Sequence, residues 1–219
     1  MKERPILFST PMVQALIEAR KTQTRRVVKS ELIIDQAEFE SGNRPHVIRS
    51  EPSLQYWIEN GCPFGQIGDQ LWVRETWHVE PDVEGWSMND NEPCTGWIGY
   101  KAGGSKEVTA PNFDAVQRCF PKGEVDWDFL PNDWRPSIFM PRWASRIQLE
   151  IMNIRIERLN DISEDDAKAE GMIADDDYCA EEYFSKLWNE INGWDEKGWN
   201  ANPWVWVIEF KVIQGDKHE

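Results

Sequence analysis

A lysine and a threonine three residues apart, bracketed by arginines, are the first residues in this chain whose types could do chemistry together. They lie in Arg20-Lys21-Thr22-Gln23-Thr24-Arg25-Arg26, four cations and two hydroxyls in seven residues of a chain with formal net charge -15. If the backbone turns here, the amine and the Thr24 hydroxyl face one pocket. A lysine draws a proton from a hydroxyl only when it is desolvated or crowded by other cations. Arg20, Arg25 and Arg26 could supply that pressure, or hold an anionic substrate. The competing reading is a helix C-terminus, where cations are favoured, followed by a solvated basic strand.

The elements that would position these groups follow from pattern. Ile6 to Phe8 reads as a short strand. Thr10 suits an N-cap and Pro11 the first helical position, and Met12, Ala15, Leu16 and Ala19 recur at helical spacing, predicting a helix over 11–20. Arg25 to Val28 is extended. Residues 30–55 read as a polar loop. Cys62 to Asp69 is turn chemistry leading into one strand from Leu71 to Val79, with Leu71, Val73, Glu75, Trp77 and Val79 on one face. Glu75 is thus a carboxylate on an apolar face, either an arginine's partner or a pocket group. Residues 80–135 read as an irregular insertion, a lid or a cover for a sheet edge, with a short strand near 97–102.

Ile147, Leu149 and Ile151 alternate, then Ile154 and Ile156 in the opposite phase, which predicts a bulge near Met152-Asn153. Ser163-Glu164-Asp165-Asp166 marks a helix start and Gly171 its end. A second helix covers about 178–191. Trp204 to Ile213 is an interior strand, its first half apolar on both faces. The last six residues read as frayed.

At 219 residues, with 40% hydrophobic and 29% charged side chains, the chain is expected to be globular. No apolar run is long enough to span a membrane, and Met1 to Pro5 does not read as a secretory signal. Cys62, Cys94, Cys119 and Cys179 are far apart, as are His46, His78 and His218. That spacing argues against a zinc site and for a reduced, cytoplasmic setting. The acidic balance argues against a broad nucleic-acid-binding surface, but not against a small basic pocket. Most of the 13 tryptophans read as packing anchors, a few as stacking surfaces for bases.

Lys21-Thr22-Gln23-Thr24-Arg25-Arg26 after a short helix resembles the GxKTxTxR signature of ASCH domains, with Ala19 where that family often has glycine. Gly68-Asp69, Ile162 to Gly171 and Val205 to Phe210 follow in the family's order. Leu71 to Trp77 and Met140 to Arg146 are similar to segments of its larger phage and prophage members. The resemblance covers about 5–29, 65–79 and 136–213. It implies an α+β fold, a PUA-like small, mostly antiparallel β-barrel with flanking helices, in a single domain over 1–219 with an insertion at about 80–135.

A small bacterial member of the family is an amidohydrolase acting on N4-acetylcytidine through a lysine, a threonine and a distant glutamate. The resemblance places these on Lys21, Thr24 and Glu170. Glu75 remains a second carboxylate candidate. Arg26, Arg74, Glu75, Trp77, Arg142 and Arg146 are the candidate substrate-binding residues, and the arginines have ion pairing as the alternative. The implied activity is metal-independent and cofactor-free hydrolysis of an N-acylated nucleoside or base. The implied partner is a modified nucleoside or short RNA, without a membrane. The alternatives are an RNA-binding module without catalysis, and an endoribonuclease.

Overall fold

The computed structural model describes residues 1–43, 53–80, 86, 92–119 and 134–214. The first strand, β1 (Glu3–Leu7), leads into α1 (Thr10–Ile17), which buries Met12, Val13, Ala15 and Leu16. The helix is shorter than its apolar spacing suggests, because the chain enters the left-handed region at Ala19, with φ 57°. A side chain there is strained where glycine is not. Ala19→Gly is therefore expected to stabilise the fold by about 0.5 kcal/mol, the relief of strain exceeding the added freedom of the unfolded chain. Urea denaturation checks it, and a loss of stability would contradict the strain.

β2 (Gln23–Val27) follows, beginning two residues before the extended segment expected from Arg25 to Val28. The loop expected over 30–55 is instead partly helical, with α2 (Glu31–Glu40) and α3 (Leu54–Asn60). Ile33 and Ala37, one turn apart, are the buried residues of α2, a short stripe that its polar surroundings mask. Ser53 caps α3 by accepting from the Tyr56 N–H. Residues 44–52 of that expected loop lie outside the description.

The single strand expected over 71–79 is two. β3 (Gln70–Arg74) ends before Glu75, and β4 (Trp77–Val79) starts a second sheet. The burial pattern nevertheless holds from Val73 to Val79, odd positions buried and even ones partly exposed. The expected irregular insertion contains a hairpin, β5 (Cys94–Tyr100) and β6 (Ser105–Ala110), then α4 (Phe113–Gln117) capped by the Asn112 side chain. β4, β5 and β6 form an antiparallel three-stranded sheet. Its core includes Trp77, Trp86, Ile98, Tyr100, Phe113 and Met140. Two glycines permit this packing: a Cβ at Gly96 would lie 2.0 Å from the Trp86 indole, and one at Gly99 would lie 1.9 Å from the His78 ring. Gly99 falls in the short strand expected near 97–102, and both glycines make room for aromatic rings. Trp127 lies outside the described residues, and Trp97 and Trp134 are among the exposed large side chains.

β7 (Gln148–Arg158) shows the phase change directly. Leu149 and Ile151 are buried, Met152 and Asn153 are both exposed, and Ile154 is buried again. α5 (Glu164–Ala169), α6 (Ala180–Asn192) and β8 (Trp204–Gln214) complete the fold. Ala180, Phe184 and Trp188 of α6 pack with Val205 and Val207 of β8 and Ala167 of α5. Each large apolar side chain so buried contributes about 1.5–3 kcal/mol.

The α+β class stands. The five-stranded sheet has the order β1-β3-β7-β8-β2, with β1 and β2 at its ends, so it is not plainly the closed barrel implied by the resemblance. β8 is interior, as its two apolar faces require. The chain divides into two compact units. One comprises Met1–Arg4, Glu18–Gln70 and Leu149–Val212, and the other chiefly Pro5–Ile17 and Leu71–Gln148. Among the described residues no helix is long and apolar enough to cross a membrane, and no cluster of three acidic, histidine or cysteine side chains is suited to a metal ion.

Candidate functional site

Lys21 and Glu170 are brought together by backbone pairing. The Thr22 N–H donates to the Ala169 carbonyl at 2.8 Å and the Thr22 carbonyl accepts from the Phe210 N–H at 2.8 Å. This wedges the entry to β2 between β8 and the end of α5, and pairs Lys21 with Glu170 in an antiparallel bridge. α5 ends there for local reasons. The Ser163 hydroxyl accepts from the Asp166 N–H at 3.1 Å, three acids fill the first turn, and Gly171 takes φ 99° just past the end.

The Lys21 ammonium donates to Glu170 Oε2 at 2.7 Å and to the Glu170 carbonyl at 2.9 Å. Both residues are only 1% exposed. Burial pushes the Lys21 pKa below its ordinary value, and the neighbouring Glu170 charge only partly offsets that. The same carboxylate is shared with Arg25, whose guanidinium also reaches Glu157 at 2.6 Å and Asp166 at 3.2 Å. Gln23 donates to the Asp166 carbonyl and to its carboxylate at 2.9 and 3.0 Å. Arg155 extends the network to Glu157, Asp166 and Glu209. Burial resists the charge on Asp166, but Gln23, Arg25 and Arg155 outweigh it and hold that carboxyl below its usual range.

The result is a chain of alternating charges, buried at Lys21, Glu170 and Arg25 and partly exposed at Glu157, Asp166, Arg155 and Glu209, that sequence reasoning did not assemble. Its signal was present in two periods. Lys21, Gln23 and Arg25 are alternate residues of an extended segment, and Asp166 of α5 and Glu170, the residue that caps its end, are one helical turn apart. Arg20 instead donates to the Gly171 carbonyl at 2.6 Å and to Glu18.

Thr24 is not part of this group. Its hydroxyl is fully buried and has no hydrogen-bond partner among the described residues. Alternation explains why. Lys21, Gln23 and Arg25 face α5, while Thr24 and Arg26 stand opposite Ile208 and Trp206 and project to the other side of the sheet. The turn that would have put amine and hydroxyl in one pocket does not occur, because residues 21–27 remain extended. Arg26 is partly buried and donates to the Arg25 carbonyl at 3.2 Å.

The remaining sequence candidates belong to the other unit. Glu75 and Arg146 form a two-pronged ion pair at 2.9 and 3.0 Å, 1% and 2% exposed. Arg146 also donates to the Gly103 carbonyl at 2.8 Å, and its guanidinium lies 4.0 Å from the centre of the Tyr100 ring. This is the arginine-partner reading of Glu75. Trp77 is a core residue with no exposed surface. Arg74 and Arg142 both lie over the Trp72 ring, at 4.7 and 6.0 Å. All of these contacts lie within that one unit.

Known proteins offer no shortcut. No family model, curated protein or solved structure matches this chain. What the site can do rests on its own geometry.

Proposed function

We propose that the chain hydrolyses the acyl group from an N-acylated nucleoside or base, with Lys21 and Glu170 as the proton-handling pair. The observation that carries this reading is a fully buried amine of lowered pKa, 2.7 Å from a fully buried carboxylate. Perturbed, paired ionisable groups of this kind are a feature of catalytic sites. The ASCH-like Lys21-Thr22-Gln23-Thr24 segment supports the same reading and supplies the substrate class.

In the reaction, Lys21 first releases its proton to solvent; the neutral amine then takes a proton from the attacking water, whose oxygen forms the new bond to the acyl carbon. The C–N bond then breaks, and the proton returns to the departing amine. Glu170 orients the amine and steadies its charged form. Thr24 is the alternative nucleophile, since a buried hydroxyl without a partner calls for an explanation. Its position across the sheet from Lys21 favours water.

The test is release of cytidine and acetate from N4-acetylcytidine without added metal. Lys21→Met is expected to lower turnover by about a hundredfold or more, the usual worth of a positioned acid–base group. Thr24→Val is expected to retain turnover, and its loss in a folded variant would return the nucleophile to Thr24. No release by folded wild-type protein rejects the reading. A binding module without chemistry is the second reading, favoured by the exclusion of water from the pair: a closed ion pair serves equally as a lock between β2 and α5.

A further inference from the structure

A cavity of about 340 Å³ lies in the first unit, where β2 passes into α2. It is separate from the pair above, since neither Lys21, Thr24 nor Glu170 lines it. Its walls are apolar: Val27, Ile33, Phe64 and Trp206. At its edge sit two unspent polar groups. Lys29 is exposed and forms no ion pair among the described residues, although the chain carries 39 acidic side chains. Ser30 occupies the N-cap of the ten-residue α2, yet its hydroxyl makes no capping bond.

We infer that this cavity binds a small planar aromatic molecule carrying one anionic group. Size, wall and rim each narrow the class. The volume is within the range of small-molecule sites and too small for a folded partner. Phe64, the more exposed of the two aromatic side chains, gives a flat ring edge or offset contact, while Trp206, 2% exposed, adds only a margin of its ring. A bare phosphate leaves those walls unused, and an alkyl chain leaves Lys29 and Ser30 unused. A ring with an acidic group at its edge engages both, with charge-assisted bonds from Lys29 and a hydroxyl bond from Ser30. The net charge of -15 opposes anions at long range, and the unpaired Lys29 beside the cavity reverses that field locally. Glu31, the residue after Ser30, is exposed and is not among the residues that line the cavity.

Two sources share this chemistry, a nucleoside monophosphate and an aromatic carboxylate. The experiment titrates the whole chain with cytidine monophosphate, indole-3-acetate, cytidine and inorganic phosphate, following the Trp206 indole N–H and the Lys29 and Ser30 amides by NMR. One of the two aromatic anions is expected to saturate these signals below about 1 mM, identifying the source, with cytidine and phosphate each at least about tenfold weaker. Lys29→Glu, a surface change, is expected to weaken that anion by about tenfold or more. Ile33→Trp, which fills the cavity, is expected to abolish the shifts while distant amides keep their positions. The inference is overturned if neither anion moves the Trp206 signal by about 5 mM, or if Lys29→Glu leaves the affinity unchanged. Because no catalytic-pair residue is altered, these results stand apart from the acyl-hydrolase assay.

Discussion

Glu170→Ala is expected to cost about 3–5 kcal/mol of stability, because it strands the Lys21 ammonium in a site closed to water. With the carboxylate gone, that ammonium loses its charged partner while its bond to the Glu170 backbone carbonyl remains. Arg25 loses one partner but retains Glu157 and Asp166. The melting temperature should fall by roughly 6–20 °C for a chain of this size. The deficit has a second signature. Lys21 can escape the penalty by releasing its proton, which becomes easier as the pH rises toward 10.5, the ordinary lysine value. In that range the unfolded lysine still holds a proton that the folded one has shed, so stability increases with pH. The reverse change should be milder. Lys21→Met leaves Glu170 beside Arg25 at 3.3 Å and should cost about 1–3 kcal/mol. Urea titrations of both variants at pH 7 and pH 9 decide the matter. If Lys21→Met proves the more damaging, or if the Glu170→Ala deficit grows with pH, the stranded-charge account fails.

Arg146→Met should be comparably severe for the other unit, at about 3–5 kcal/mol, since it leaves the Glu75 carboxylate buried without its two-pronged partner. It also removes the donor to the Gly103 carbonyl and the cation over Tyr100. The informative measurement is a double-mutant cycle. Glu75→Leu combined with Arg146→Met removes both charges and should recover at least about 1–2 kcal/mol relative to Arg146→Met alone. No recovery would mean that Arg146 acts through packing rather than through charge.

Particular residues show what could be read in advance. The helix of Ala180, Phe184 and Trp188 and the interior strand of Val205 to Ile208 were legible because long apolar periods leave few alternatives. α2 was not, since its buried stripe is only Ile33 and Ala37 among acidic residues. The break at Glu75 was also hidden. Alternation of burial continues straight through it, so the period alone cannot tell one strand from two. At the candidate site, the resemblance named Lys21 and Glu170, and the two are in contact. It also named Thr24, which strand alternation sends to the opposite side. Asp166, Glu157 and Arg155 were missed because separately each is an ordinary charged residue. Only the approach of β2, β7 and α5 makes them a network.

The buried charge cluster also fixes something about how the chain is made. Lys21 and Glu170 are 149 positions apart, and Arg25 and Glu170 are 145 apart. A ribosome adding about 5–20 residues per second holds these cations without their carboxylates for roughly 7–30 seconds. During that interval Lys21 and Arg25 remain hydrated and β2 lacks β8, its described partner. The strand that carries the basic motif is thus made well before β8 and cannot complete this pairing until β8 has followed it.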